Sequence, residues 1–366
     1  MKKMIKLILV VFGFLLIIMA IFFIAAMLSG KGEIEPFYDE NGNILENSIA
    51  EKVFVDINGR ENGMIIRGKN IDNPVVLFIS GGPGVPEYWL NVSYEKQYPN
   101  RLEEEFTVCW WDYMGEGLSY DEDISPKDIT IEKLAADAVE VTQYLQERFG
   151  QEKIYLMAHS GGTPLGLYLA QNNPEQFYCY FSMGQVVNEG NCRYEAGYYY
   201  LKNYFEETGN KRALRKLDKL IQEENGELTI LNEEKIGMEW ESLLLMAEAA
   251  TFREMKSDAF GIFFPQMFSS CYTFSEKIDY WRGKMLLAKS PYAAYTVSLT
   301  DEQPAKIPIY FMSGYYDYTT PVSLVEELYE NLEAPDKAFY LFENSAHSPL
   351  WEENDEVMEV MRKYVR

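Results

Sequence analysis

The sequence predicts an α/β fold: a mostly parallel sheet with helices on both faces, interrupted by a helical insertion and preceded by a transmembrane helix. Three observations predict it. Short apolar runs at 74–80, 106–111 and 153–158 are stopped by glycine or polar residues, as strands buried on both faces are. Between the second and third lies a helical pattern with Thr130 as its cap, Ile131, Leu134, Ala135, Ala138, Val139 and Leu145 on one face, and Gly150 as its stop. Strand, helix, strand in that order gives a parallel pair. Finally, residues 7–28 carry no charge at all.

That first run, as a helix, spans about 33 Å at about 1.5 Å per residue, the thickness of a bilayer core. Lys2, Lys3 and Lys6 precede it, whereas Lys31 is followed by Glu33 and Glu35, so the charge bias puts the amino terminus in the cytoplasm and the body outside. A cleaved signal peptide is the alternative. Its apolar region is usually only about 7–15 residues and ends at an A-x-A-like site, whereas here the run ends Ala25-Ala26-Met27-Leu28-Ser29-Gly30. An uncleaved, single-pass anchor at the cell membrane is therefore the expectation, and a buried core helix is disfavoured because the run has no polar face.

After a polar linker, strands at 52–56 and 64–67 are joined through Asn58-Gly59, a hairpin signal. A helix is expected over 161–171, a strand over 178–183, and further strands over 307–312 and 337–342. The interval between, rich in Glu, Lys, Leu and Ala, reads as a helical cap over the carboxyl edge of the sheet. The expected organisation is an anchor at 1–30, a catalytic core at 31–183 and 301–366, and the cap at 184–300. Cap aromatics such as Tyr198, Tyr199, Tyr200, Phe263, Phe264 and Trp281 either pack helix on sheet or line an apolar pocket, and packing is the commoner role.

With 366 residues, 47% of them hydrophobic, the chain can bury a substantial core. Its formal net charge of -24 repels phosphate backbones, so nucleic acid is not an expected partner. Cys109, Cys179, Cys192 and Cys271 form no CxxC pair, which argues against a zinc site or dithiol redox chemistry. A bridge between Cys179 and Cys192 and buried free thiols are the two alternatives, the second favoured.

Chemistry enters through three separated fragments: Ala158-His159-Ser160-Gly161-Gly162, Gly314-Tyr315-Tyr316-Asp317, and Ser345-Ala346-His347-Ser348-Pro349. A serine hydroxyl is a weak nucleophile, so it needs a base, and the base needs a carboxylate to fix its tautomer. Ser160, His347 and Asp317 supply these in the chain order Ser, Asp, His that α/β-hydrolases use. The chain has only two histidines. His159 adjoins the serine, where a strand-to-helix turn aims it elsewhere, so the base is His347. Small neighbours of Ser160 suit the strained backbone of a nucleophile elbow. Ser80-Gly81-Gly82-Pro83-Gly84 follows an earlier strand, and the N–H groups of Gly82 and Gly161 are the candidate oxyanion hole. No metal or organic cofactor is called for.

From about residue 74 onward the chain resembles the proline iminopeptidase-like α/β-hydrolases. The resemblance rests on Ser80-Gly81-Gly82-Pro83-Gly84 for their HGGPG, on Trp111-Asp112-Tyr113-Met114-Gly115-Glu116-Gly117-Leu118-Ser119 for W-D-Q-R-G-x-G-x-S, and on the elbow around Ser160. Gly184-Gln185-Val186-Val187-Asn188 and Glu343-Asn344-Ser345-Ala346-His347-Ser348-Pro349 extend it. It implies Ser160, Asp317 and His347 as the triad. Ser80, Tyr113-Met114 and Gly161 depart from the motifs around the pocket, which bears on substrate rather than on mechanism. In that family cap carboxylates hold a free α-amine, and no glutamate of this cap is matched to that role. The expected activity is a serine hydrolase of small peptides or amides through an acyl-enzyme, with ester hydrolysis as the alternative. A catalytically silent binding protein is less expected, because nucleophile and base are both retained. An Asp-nucleophile dehalogenase or epoxide hydrolase is disfavoured by the serine at the elbow.

Overall fold

The computed structural model describes residues 2–187, 190–300 and 302–365. Eight strands form one sheet: β1 (Ile49–Ile57), β2 (Arg60–Gly68), β3 (Val75–Ile79), β4 (Thr107–Trp111), β5 (Ile154–His159), β6 (Phe177–Met183), β9 (Ile309–Gly314) and β10 (Lys337–Phe342). Their spatial order is β1-β2-β4-β3-β5-β6-β9-β10. The pairs from β4 to β10 are all parallel, while β1–β2 and β2–β4 are antiparallel. This is the α/β-hydrolase fold, with helices on both faces.

Alternation along the strands builds two cores. Val75, Leu77 and Ile79 of β3 pack with Leu156 and with Leu134, Ala138 and Val141 of the helix Ile131–Phe149, whereas Val76 and Phe78 face the opposite layer with Trp110 and Met157. Both faces are covered, which is why these strands read as unbroken apolar runs. The helix starts as its sequence dictates: the Thr130 side chain accepts from the Lys133 N–H, and Gly150 ends it at φ 64.

Chain direction then positions the site. From β3 the chain moves to β4 on one side, and returns to β5 on the other. Such a reversal opens a crevice at the carboxyl ends of the strands. The loop after β3 carries residues 80–84 and the turn after β5 carries Ser160.

Two expectations need correction. The segment 184–300 is not wholly helical. Besides Cys192–Glu207, Lys211–Leu220, Glu233–Met246 and Phe274–Leu287 it contains a hairpin, β7 (Ile221–Glu224) and β8 (Glu227–Ile230). Its turn is Asn225-Gly226, both at positive φ (55 and 86), the residue pair that a tight hairpin turn selects. The strand expected over 307–312 starts at Ile309 instead, directly after Pro308, which has no N–H to give a ladder; its carbonyl still accepts from the Tyr180 N–H at 2.9 Å.

The amino-terminal helix runs Lys2–Ser29, and Lys3–Ser29 is long and apolar enough to cross a membrane. All four cysteines are free, three buried and Cys192 half-buried, so no Cys179–Cys192 bridge is present. Asn188, the last residue of the resemblance at the start of the cap, lies outside the described residues.

Candidate active site

The site is built on strand ends. Leaving β5, the backbone turns so sharply that Ser160 takes φ 49, a left-handed conformation that costs a non-glycine residue energy. Neighbours over-determine it: a Cβ on Gly162 would lie 2.4 Å from the Ser80 carbonyl oxygen, and one on Gly161 would lie 2.5 Å from the carbonyl carbon and oxygen of Gly82. Glycine at both positions lets the elbow and the 80–84 loop meet backbone to backbone. Gly82 and Gly161, the expected oxyanion donors, are thereby adjacent.

The Ser160 hydroxyl lies 2.7 Å from His347 Nε2. His347 Nδ1 lies 2.8 Å from Asp317 Oδ2. Asp317, completely buried, also accepts from the Thr320 N–H on Oδ1 at 2.8 Å and from the Thr320 hydroxyl on Oδ2 at 2.7 Å. With every neighbour donating to it, the carboxylate is an acceptor for the Nδ1–H of His347. That leaves the Nε2 lone pair facing the serine hydroxyl. Thr320 was not foreseen from the sequence; Asp317-Tyr318-Thr319-Thr320, an acid followed three residues later by a hydroxyl residue, is the local turn pattern that signals it.

The loop bearing His347 is clamped from three sides. Its N–H donates to the Ala250 carbonyl at 3.2 Å, and its own carbonyl accepts from His159 Nε2 at 2.8 Å. Glu352 accepts the Ala346 N–H at 2.9 Å and the Arg253 N–H at 2.8 Å; burial pushes its carboxyl up to about 8. A Cβ on Gly314 would lie 1.9 Å from the Ala346 carbonyl oxygen, so this loop can rest on the end of β9 only over a glycine.

His159 points away from Ser160. Its Nδ1 meets Glu87 Oε1 at 2.6 Å, and both side chains are buried. Burial alone would depress the imidazolium, but the Glu87 charge and hydrogen bond outweigh it and the net shift is upward. Each ring nitrogen faces an oxygen acceptor, so both carry protons in the favoured form and neither offers a lone pair for general-base work. Glu87, which the sequence reading missed, is itself positioned by its N–H donating to the Ser80 hydroxyl at 3.2 Å.

The stretch 111–119 braces the same crevice from behind. The Tyr113 hydroxyl accepts the Gly84 N–H at 3.0 Å, and Asp112 accepts the Leu118 N–H at 2.7 Å. Asp112 and Glu116 are both buried; burial raises Asp112 to about 8 and drives Glu116 upward as well. A Cβ on Gly283 would lie 2.4 Å from the Gly115 carbonyl oxygen, which brings the helix Phe274–Leu287 of the insertion directly onto this loop.

Above Ser160 a cavity of about 470 Å³ opens between the strand ends and the insertion, with Pro83, Val187, Ile262, Leu324 and Tyr292 among its walls. The Tyr292 hydroxyl donates to the Gly161 carbonyl at 2.7 Å. Among the described residues, two carboxylates line the cavity, Glu87 and Glu241. Glu87 is engaged by His159, and Glu241 pairs with Arg193.

The chain is an enzyme of the serine hydrolase class. More narrowly, residues 74–354 match the alpha/beta hydrolase fold family, and the chain belongs to it. A protein of Bacillus subtilis (strain 168) described as a probable aminopeptidase, YbaC, is 29% identical over 323 residues, covering 88% of this chain and 98% of the relative. The crystal structure of proline iminopeptidase from Mycobacterium smegmatis superposes with a TM-score of 0.56 at 15% identity, covering 86% of this chain and 97% of that one. A Vigna radiata epoxide hydrolase mutant gives 0.53 at 15% identity, over 86% and 98% of the two chains. At such identities these structures share the fold.

Proposed function

We propose that this chain is a membrane-anchored serine hydrolase in which Ser160 is the nucleophile, His347 the general base and Asp317 the group that orients it. One observation carries the reading: the unbroken chain from Ser160 Oγ to His347 Nε2 at 2.7 Å and from His347 Nδ1 to Asp317 at 2.8 Å. Ser160 Oγ attacks a carbonyl carbon of the substrate while its proton passes to Nε2. The resulting oxyanion is met by the N–H groups of Gly82 and Gly161, each such donor worth about 2.7–4 kcal/mol in the transition state. The imidazolium then protonates the leaving group, and water, activated by the same histidine, releases the acyl group.

Small peptides or amides are the proposed substrates, a reading favoured by the probable aminopeptidase of B. subtilis. A second reading, ester hydrolysis, is favoured by a specific observation. Among the described residues, the carboxylates lining the cavity, Glu87 and Glu241, are already paired, which leaves neither of these two free to receive an α-amine unless its ion pair opens. A panel of aminoacyl amides against p-nitrophenyl esters separates the two.

The proposed organisation is an anchor at 1–30, a core at 31–183 and 301–366 and a cap at 184–300, with the catalytic body on the extracytoplasmic side. Retention of the anchor is supported by Lys277, fully buried, whose ammonium donates to the Ala26 carbonyl and the Ser29 hydroxyl at 3.1 Å each. Carbonyls at a helix end lack intrahelical donors, and this lysine supplies one. Cleavage beyond Ser29 would strip it of both partners, and cleavage just after Ala26 of one.

A fluorophosphonate probe is expected to label the full-length protein once, with labelling abolished in Ser160→Ala at unchanged circular dichroism. Stoichiometric labelling of that variant would assign the nucleophile to another residue.

A further inference from the structure

The carboxyl end of the amino-terminal helix is built into the insertion. Phe22 packs on Phe263, Phe264 and Phe268 with ring centroids 5.9, 5.7 and 5.5 Å away, and Phe23 meets Phe274 at 6.1 Å. Beyond the helix, the Gly32 N–H donates to the Ser270 carbonyl at 3.0 Å, and a Cβ on Gly30 would lie 2.5 Å from the Tyr272 carbonyl oxygen. These contacts fix the depth of the insertion. Phe22 precedes Leu28, the last apolar residue of the run, by six positions, or about 9 Å of helix. An in-plane amphipathic element sinks its apolar face about 5–10 Å into the boundary between headgroups and acyl chains. Side chains touching Phe22 therefore lie at that depth.

The short segment that touches it, Ala259–Phe268, is apolar and carries aromatic surface the fold leaves uncovered. Phe260 is 76% exposed and Phe268 40%. Phe260 adjoins Phe264 at 5.3 Å, so it continues the patch already engaged by Phe22. On the other side of the same turn Ile262 lines the cavity above Ser160.

We propose that Ala259–Phe268 is a second membrane contact, an aromatic patch lying in the plane of the bilayer beside the amino-terminal helix, with the lipid headgroup–acyl boundary as its partner. The patch completes the anchoring: the helix crosses the membrane and the patch seats the insertion on it. One turn of chain separates the catalytic cavity from lipid. This inference rests on the reading of residues 7–28 as a membrane span, and the test separates the two.

Full-length protein carrying Cys192→Ser is reconstituted into phosphatidylcholine–phosphatidylglycerol vesicles with a nitroxide on one introduced cysteine: Phe260→Cys, Leu15→Cys in the middle of the span, or Glu152→Cys at the amino edge of the sheet. Collision with oxygen is compared with collision with a water-soluble nickel chelate. The oxygen-to-nickel ratio at 260 is expected several-fold above that at 152 and below that at 15, as a position at the headgroup–acyl boundary requires. A ratio at 260 equal to that at 152 overturns the proposal, and a high ratio at 15 in the same experiment leaves the span intact. Spin–spin broadening at 260 that vanishes on dilution with unlabelled protein would assign the patch to a second copy of the chain and would also overturn it. A water-like ratio at 15 removes the span itself, and the ratio at 260 still decides the patch.

Discussion

The strand-end loops around Ser160 and the insertion above them are held by different physics. At the strand ends hydrogen bonds hold the candidate catalytic side chains and glycines carry the backbone contacts: Asp317 receives Thr320 twice, the His347 loop is clamped by Ala250, His159 and Glu352, and Gly161 lies against Gly82. The insertion is packed through rings and aliphatic side chains, rests on the 111–119 loop at Gly283, and meets the amino-terminal helix through Phe22 and Lys277. Directional bonds fix positions to fractions of an ångström, as proton transfer requires, whereas aromatic packing tolerates sliding. On the proposed reading, the difference assigns chemistry and access to separate parts of one chain, which mutation should separate.

The largest expected effect tests the directional side. Asp317→Asn keeps the shape but presents an amide donor to His347 Nδ1, favours the wrong tautomer, and is expected to lower kcat by about 10⁴-fold; steady-state hydrolysis of an activated ester reads it. Next comes Gly161→Ala, whose Cβ would sit 2.5 Å from the Gly82 carbonyl carbon and must push the two loops apart. A fall in kcat of about 10²–10³-fold is expected from the disturbed oxyanion donors, and an unchanged kcat would mean that Gly82 and Gly161 do not serve as those donors.

On the other side of the comparison, Lys277→Ala removes two charged hydrogen bonds to the amino-terminal helix and is expected to cost about 1.5–3 kcal/mol of stability in detergent micelles. Its kcat on a water-soluble substrate should stay at the wild-type value. A large loss of kcat would dissolve the distinction between the two regions. The most gradual effect, spread over several pH units, lies at the seam between them. Asp112, with Leu118 on its carboxylate and Gly283 packed against its loop, is held by burial at about 8, far above the ordinary range near about 4. The folded state therefore keeps a proton that the unfolded chain releases. That contribution to stability is complete below about pH 4 and is lost as the pH rises through about 8. Thermal midpoints measured between pH 5 and 8 should fall with pH, and Asp112→Asn should flatten the slope, by at most about 1.4 kcal/mol per pH unit.

Legibility in the sequence follows the same division. The strands, the capped helix at 131–149 and the residues that meet at the strand ends obey short-range rules: buried runs, Thr130 and Gly150 as caps, small residues around Ser160. What supports them was less legible: Glu87 lies 72 residues from His159, Glu352 looks like an ordinary polar loop residue, and Thr320 was signalled only by its spacing from Asp317. In the insertion, composition named helices but hid the hairpin, although Asn225-Gly226 carried its signal. The joining of Phe22 to Phe263, Phe264 and Phe268 spans more than two hundred residues, and no local pattern encodes it.

The strap of Lys277 and Phe22 ties the proposed transmembrane helix to the lid. If that helix spans a bilayer, as proposed, the lid is the stationary member. Admission of a substrate by parting of lid and sheet would swing the larger, water-facing half of the molecule away from the membrane, like a hull moving on a fixed mooring.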